Sequence, residues 1–198
     1  IPTEKYLTER VDFATFSGHK FHGVRGVGFV YIKSGKKITP LLTGGGQERD
    51  YRSTTENVAG IAATAKALRL SMEKLDIFTS KTGQMKAVIR QALLDYPDIF
   101  VFSDEEDFAP HILTFGIKGV RGEVIVHAFE DYDIFISTTS ACSSKAGKPA
   151  GTLIAMGVDK DKAQSAVRLS LDLENDMSQV EQFLTKLKLI YNQTRKVR

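Results

Sequence analysis

A single cysteine, Cys142, occurs among the 198 residues. Its solitude excludes an intrachain disulfide and fits a reducing compartment. A zinc site is excluded too, because no second cysteine or spaced histidine pair accompanies it. No apolar run approaches the roughly 20 residues that span a bilayer. The opening residues carry Glu4, Lys5, Glu9 and Arg10, which is not the pattern of a signal peptide. The formal net charge is only +3, too small to argue for direct nucleic-acid binding. The basic end, Arg195-Lys196-Val197-Arg198, is most simply a solvated tail. Internal repeats and low-complexity tracts are absent. What remains is an ordinary globular composition, 42% apolar and 26% charged, long enough for one large or two small domains.

Two strands are predicted over 11–16 and 27–32, joined by the turn from Ser17 to Gly26 in a stretch rich in glycine (Gly23, Gly26, Gly28). Pro40 and Gly44-Gly45-Gly46 interrupt regular structure after the second strand. Val58, Ile61, Ala62, Ala65, Leu68 and Leu75 then recur at helical spacing over 56–75. Ser53, Thr54 and Thr55 ahead of them are candidate N-caps. A second helix is expected over 80–96, ended by Pro97. Beyond it the pattern predicts a strand at 111–117, a helix at 122–130, a strand at 134–136 and a loop over 137–149. A short helix at 150–156, a strand at 166–171 and an amphipathic helix at 177–191 complete the chain. Elements alternating in this way indicate an α/β or α+β arrangement. A boundary is expected in or just after the helix ending near Leu75, with a small α+β unit following.

Four groups of residues carry chemistry. Ser17-Gly18-His19-Lys20 places a hydroxyl, an imidazole and an amine at a strand end. An amine there can condense with a phosphate-bearing aldehyde, while the other two donate hydrogen bonds. A solvated lysine after an edge strand is the commoner reading of four such residues. Gly44-Gly45-Gly46-Gln47-Glu48-Arg49 followed by Arg52-Ser53-Thr54-Thr55 combines glycines, hydroxyls and guanidinium groups before a helix, which suits an anion. It is not a P-loop, since no lysine follows the glycines in the required place. A flexible loop with ordinary caps is the alternative. Cys142 lies among small, polar and basic neighbours, with Lys145 and Lys148 near in sequence to stabilise a thiolate; a buried cysteine is the alternative. Arg168 interrupts the apolar run Ala166-Val167-Arg168-Leu169 and calls for an anionic partner such as a carboxylate, unless the strand is an edge facing water.

The order of these motifs resembles the cysteine desulfurases of NifS/IscS type, pyridoxal-phosphate enzymes of the fold-type-I, class V aminotransferase group. Ser17-Gly18-His19-Lys20, Gly44 to Arg49, Arg52-Ser53-Thr54-Thr55-Glu56-Asn57, Ser140-Ala141-Cys142-Ser143-Ser144 and Arg168-Leu169-Ser170-Leu171 carry the likeness. It covers almost the whole chain, and Ala109-Pro110-His111-Ile112 resembles the strand that opens the family's small domain. The resemblance implies that Lys20 forms a Schiff base with pyridoxal 5'-phosphate and later shuttles protons, helped by burial that lowers its amine pKa. It implies that Ser17 and His19 help hold the phosphate. Thr55 would reach the phosphate of a neighbouring subunit's cofactor, making the protein a homodimer. Cys142 would attack the sulfur of L-cysteine to give L-alanine and an enzyme persulfide, and Arg168 would bind the substrate carboxylate. The sulfur would pass to an acceptor protein, an iron–sulfur scaffold or a transfer-RNA thiolation enzyme. A cytoplasmic protein with no metal site and no membrane partner is expected.

The sequence departs from the family pattern where Val24 replaces a proline and where Thr54 replaces the glycine of the phosphate loop. Neither change is expected to abolish activity. The family's N-terminal half has no counterpart here, so 1–75 reads as a remnant of the large cofactor-binding domain and 76–198 as a complete small domain. Selenocysteine lyase or another class V aminotransferase-like enzyme is the rival within the enzyme class, and Cys142 separates them. A non-catalytic dimerising or partner-binding fragment is the rival outside it. The missing half would supply the aspartate that pairs with the pyridine nitrogen and most strands around Lys20. Little or no cysteine-dependent alanine release is therefore expected from this chain alone, and robust release in a direct alanine assay would contradict that.

Overall fold

A computed structural model describes residues 7–103, 108–138 and 151–196. The chain divides into two compact units, Ile1–Asp76 and Ile77–Arg198.

The first unit opens with an antiparallel hairpin. β1 (Phe13–Ser17) pairs with β2 (Gly28–Ile32), Phe13 opposite Ile32 and Ser17 opposite Gly28. Aromatic and β-branched residues favour the pleated conformation, and Phe16 stacks on Phe29 with ring centroids 4.7 Å apart. Between the strands, Gly18–Phe21 forms one turn of 3-10 helix. After a long irregular segment, α1 (Val58–Glu73) completes the unit. Its N-cap is Asn57, whose Oδ1 accepts the Gly60 N–H at 3.0 Å, and not the Ser53-Thr54-Thr55 cluster the sequence suggests. The cap must lie immediately before the first helical residue to reach its orphan amides. Within this unit Ala67 is the one buried apolar side chain among the described residues. Phe13, Phe29, Val30 and Tyr31 are all exposed, at 36% to 44%. Successive residues of a strand point to opposite faces, so both faces of the hairpin present apolar groups.

In the second unit a four-stranded antiparallel sheet runs in the order β3-β4-β6-β5. Its strands are β3 (Ile99–Val101), β4 (Ile112–Ile117), β5 (Ser137–Thr138) and β6 (Ala166–Ser170). The helices are α2 (Leu75–Leu94), α3 (Gly122–Glu130), α4 (Gly151–Ala155), α5 (Lys160–Gln164) and α6 (Met177–Lys196). The alternation of β4 and β6 places Leu113, Phe115, Ile117, Val167, Leu169 and Leu171 on one face. There they join Met85, Ile89 and Leu93 of α2, Ile125 and Phe129 of α3, and Val180, Phe183, Leu187 and Ile190 of α6 in one core. Phe183 stacks on Phe129 at 5.0 Å and meets Phe115 edge-on at 6.2 Å. A smaller cluster, Leu153, Ala163 and Ala166, sits with α4 and α5.

Several sequence expectations change. α2 begins at Leu75 rather than 80, since Asp76 in its first turn suits the helix N-terminus. The strand expected at 134–136 is displaced to Ser137–Thr138. Asp133 turns left-handed, with φ 58°, and the Ile134 N–H bonds Phe129 O at 3.1 Å, so these residues close α3 instead of extending. β3 and α5 have no counterpart in the sequence reading, being only 3 and 5 residues long and too short to show a period.

α6 starts with a reciprocal cap. Asp176 Oδ1 accepts the Gln179 N–H at 3.0 Å, and Gln179 Oε1 accepts the Asp176 N–H at 3.3 Å. The Gln179 N–H, with the Ser178 hydroxyl after it, holds the Asp176 carboxyl below the usual carboxylate range. Stability from this cap is present above that range and is lost as pH falls through the lowered pKa. The urea midpoint of Asp176→Ala should therefore lie below the parent's at pH 7, and the gap should close on acidification; a gap independent of pH would contradict it. Phe183→Ala should cost about 3–5 kcal/mol, read from the same urea curves, since it empties a site lined by two other rings.

Candidate functional site

The turn that carries Lys20 is built on a backbone frame. The Gly18 N–H donates to Val27 O at 2.9 Å, extending the hairpin by one bond, and the Gly23 N–H returns to Gly18 O at 2.9 Å. His22 closes the turn in the left-handed region at φ 65°. Gly18 is buried, and a Cβ there would lie 2.8 Å from Val27 O and 3.0 Å from Thr64 Cγ2. Only glycine lets the chain pass so close. Ser17, His19 and Lys20 all remain exposed on this frame. The three therefore share one exposed turn, and Lys20 is not buried in this chain, whereas the resemblance implies a buried amine.

The glycine-rich segment is shaped by left-handed backbone. Gly46 (φ 80°), Glu48 (φ 52°), Arg49 (φ 56°) and Asp50 (φ 66°) all lie there. Non-glycine residues held in this region cost on the order of 1–3 kcal/mol each, and such strain concentrates at functional sites. Arg52 and Thr55 follow on the surface, while Ser53 and Thr54 are half-buried. The Ser53 N–H is tied to Leu42 O at 3.0 Å. Thr55 precedes the capping Asn57 and so stands just outside α1 rather than at its first free amides.

Arg168 occupies β6, an interior strand, not the edge strand that the alternative reading requires. Its register partners are Thr114 on β4 and Ser137 on β5. By alternation all three lie on the sheet face opposite the main core. Arg168 Nε is buried and has no hydrogen-bond partner among the described residues. Such an unmet donor suits an anionic partner. Cys142 lies outside the described residues; the strand that precedes it, β5, is the one paired with Arg168. His111 is a second buried donor–acceptor without a partner at Nδ1 among the described residues. Burial pushes its pKa below the ordinary histidine value, which favours the neutral ring, and the ring packs against Phe78. Among the described residues no group of three His, Cys, Asp or Glu side chains is arranged to hold a metal, and no helix is long and apolar enough to cross a membrane.

Sequence reasoning missed Thr114 and Ser137 beside Arg168, and Gly60, Thr64 and Ser71 on α1 beside the Lys20 turn. The first pair has no signal without the strand register. The second set does carry one: residues 60, 64, 67 and 71 recur at helical spacing and are all small.

A mixed α/β chain with a lysine turn, a glycine-rich strained segment and a strand arginine narrows the class. The chain belongs to the aminotransferase class-V family, which it matches over residues 8–183. It is 46% identical to a NifS/IcsS protein homolog of Lactobacillus delbrueckii subsp. bulgaricus, covering 98% of this chain and 51% of that protein. It is 35% identical to a cysteine desulfurase IscS of Clostridium botulinum, covering 94% of this chain and 48% of the relative. Among solved structures, a NifS-like protein superimposes with a TM-score of 0.81 at 35% identity, over 92% of this chain and 47% of the other. A NifS-like protein from Rickettsia africae gives 0.80 at 29% identity, over 92% and 48%. The fold is thus that of the NifS-like proteins, and the chain spans about half the length of the curated relatives it matches.

Proposed function

We propose that this chain is the part of a pyridoxal-phosphate-dependent cysteine desulfurase that holds the cofactor lysine and the sulfur-carrying cysteine. The observation that carries the reading is the Lys20 turn, where an amine, an imidazole and a hydroxyl stand exposed on a backbone fixed at Gly18. That donor set fits an aldehyde bearing a phosphate: Lys20 Nζ would take the aldehyde carbon, and Ser17 and His19 would hold phosphate oxygens. When bound, pyridoxal phosphate supplies an electron sink that weakens bonds around the substrate's α-carbon. Lys20 Nζ moves protons to and from the substrate. Arg168 holds the carboxylate of L-cysteine, which would satisfy its buried Nε. Cys142 attacks as a thiolate: a bond forms between its Sγ and the substrate sulfur while the substrate C–S bond breaks. The electron pair stays with the carbon, which takes a proton and leaves as L-alanine, and the persulfide remains on Cys142. The two relatives named above are respectively a NifS/IcsS homolog and a cysteine desulfurase, which supports this substrate.

On the same reading residues 1–75 are the cofactor-binding remnant and 76–198 the small domain. Thr55 reaches the phosphate of a neighbouring subunit's cofactor, so the working form is a homodimer, and its single cysteine fits the reducing cytoplasm. An iron–sulfur scaffold or a transfer-RNA thiolation enzyme receives the sulfur.

Incubation with pyridoxal phosphate, borohydride reduction and mass mapping tests the reading. A single pyridoxyl adduct on Lys20 is expected, absent in Lys20→Ala and retained in Cys142→Ala. Adducts scattered over many lysines would overturn it.

A further inference from the structure

The turn that carries Lys20 packs on one side of α1. Gly60, Thr64, Ala67 and Ser71 recur along a single stripe of that helix, and the first three are its buried residues. Three of the four meet the hairpin and its turn. A Cβ on Gly60 would lie 2.7 Å from Val27 Cγ2, and Thr64 Cγ2 and Oγ1 would stand 3.0 and 3.1 Å from a Cβ on Gly18. Ser71 Oγ donates to Phe21 O at 3.3 Å. The 3-10 turn Gly18–Phe21 is therefore gripped at its first and last residues, with Lys20 between them.

Thr64 is the centre of this grip. It is 5% exposed, and its Oγ1 has no hydrogen-bond partner among the described residues. The contact with Gly18 thus rests on the shape of a β-branched side chain, stiff at χ1, and not on its hydroxyl. Close-packed surfaces transmit small displacements because their neighbours cannot relax into empty space. A shift of α1 would pass through Gly18 to Lys20.

We propose that Thr64 is a positioning residue for Lys20, and that with Gly60 and Ser71 it makes α1 the seat of the lysine turn. This rests on the reading of Lys20 as the cofactor lysine. Thr64 acts through the backbone of Gly18. Thr64→Val keeps the shape and should behave as the parent. Thr64→Leu overfills the contact, Thr64→Ala opens it, and Gly60→Ala crowds Val27 and the capping Asn57 side chain alike.

Two readouts on the full chain separate the possibilities. The first is hydrogen exchange of the Gly18 and Gly23 amides without added cofactor. The second is the selectivity of borohydride-trapped pyridoxal phosphate for Lys20 over the other lysines. Thr64→Leu and Gly60→Ala should speed exchange at both amides and lower Lys20 selectivity by about tenfold or more, while Thr64→Val leaves both unchanged. Amides of the β1–β2 ladder, in the same unit, report intact folding. Thr64→Ala, which clashes with nothing, serves if a larger variant unfolds the first unit, and should move both readouts in the same direction. Unchanged exchange at Gly18 and Gly23 in all three disruptive variants would overturn the proposal. So would loosened exchange with undiminished Lys20 selectivity, or a Thr64→Val that loosens the turn as Thr64→Leu does. Indiscriminate labelling in the parent overturns instead the cofactor reading of Lys20, and the exchange data then decide the seating of the turn by themselves.

Discussion

The alternation of side chains along β6 is the constraint on which the second unit rests. Val167 and Leu169 must face the helices to complete the core with Phe115, Phe129 and Phe183. The pleat then leaves Arg168 no choice of side. It is committed to the opposite face, next to Thr114 and Ser137, with a donor buried and unmet among the described residues. A slip of one residue in register would reverse every position, burying the guanidinium in the core and exposing Val167. The core energy of this unit and the presentation of its arginine are one decision.

The first unit is governed by close approach rather than by volume. Among the described residues its buried positions are Gly18, Gly60, Thr64 and Ala67, and its large apolar residues lie largely at the surface. A helix that touches a turn through glycine and threonine gains little from burial, roughly 25 cal/mol per Å² of apolar surface. It gains geometric definition, because neither element can move without a clash. The hairpin above it is apolar on both faces, the pattern of strands that sit inside a sheet covered on each side. That pattern agrees with relatives of about twice this length.

Much of this was legible in the sequence. The hairpin, α1, α3 and the terminal helix carry long periodic or strongly biased patterns, and their expected bounds fall within a few residues of those observed. The failures are local. β3 and α5 are too short to show a period. The strand near Ile134 lost to a left-handed Asp133 that ties the chain back to α3. The cap of α1 fell to Asn57 because capping depends on where the first helical residue lies, and a run of polar residues does not reveal that. The lysine turn, the glycine segment and the strand arginine were readable as motifs only together, because each is weak alone and their order along the chain is what is specific.

The sequence by itself determined the chemistry on offer: one thiol, one lysine beside a hydroxyl and an imidazole, one arginine in an apolar run. It also determined the class of fold, because strand and helix periods are written residue by residue. Tertiary structure alone decided that β6 is an interior strand, that Thr114 and Ser137 flank Arg168, and that Thr64 supports the Lys20 turn. Each of these depends on which distant segments pair or touch. Cross-strand register is set by the packing of the whole unit, and the small-residue stripe of α1 marks a face of close contact without naming what it touches.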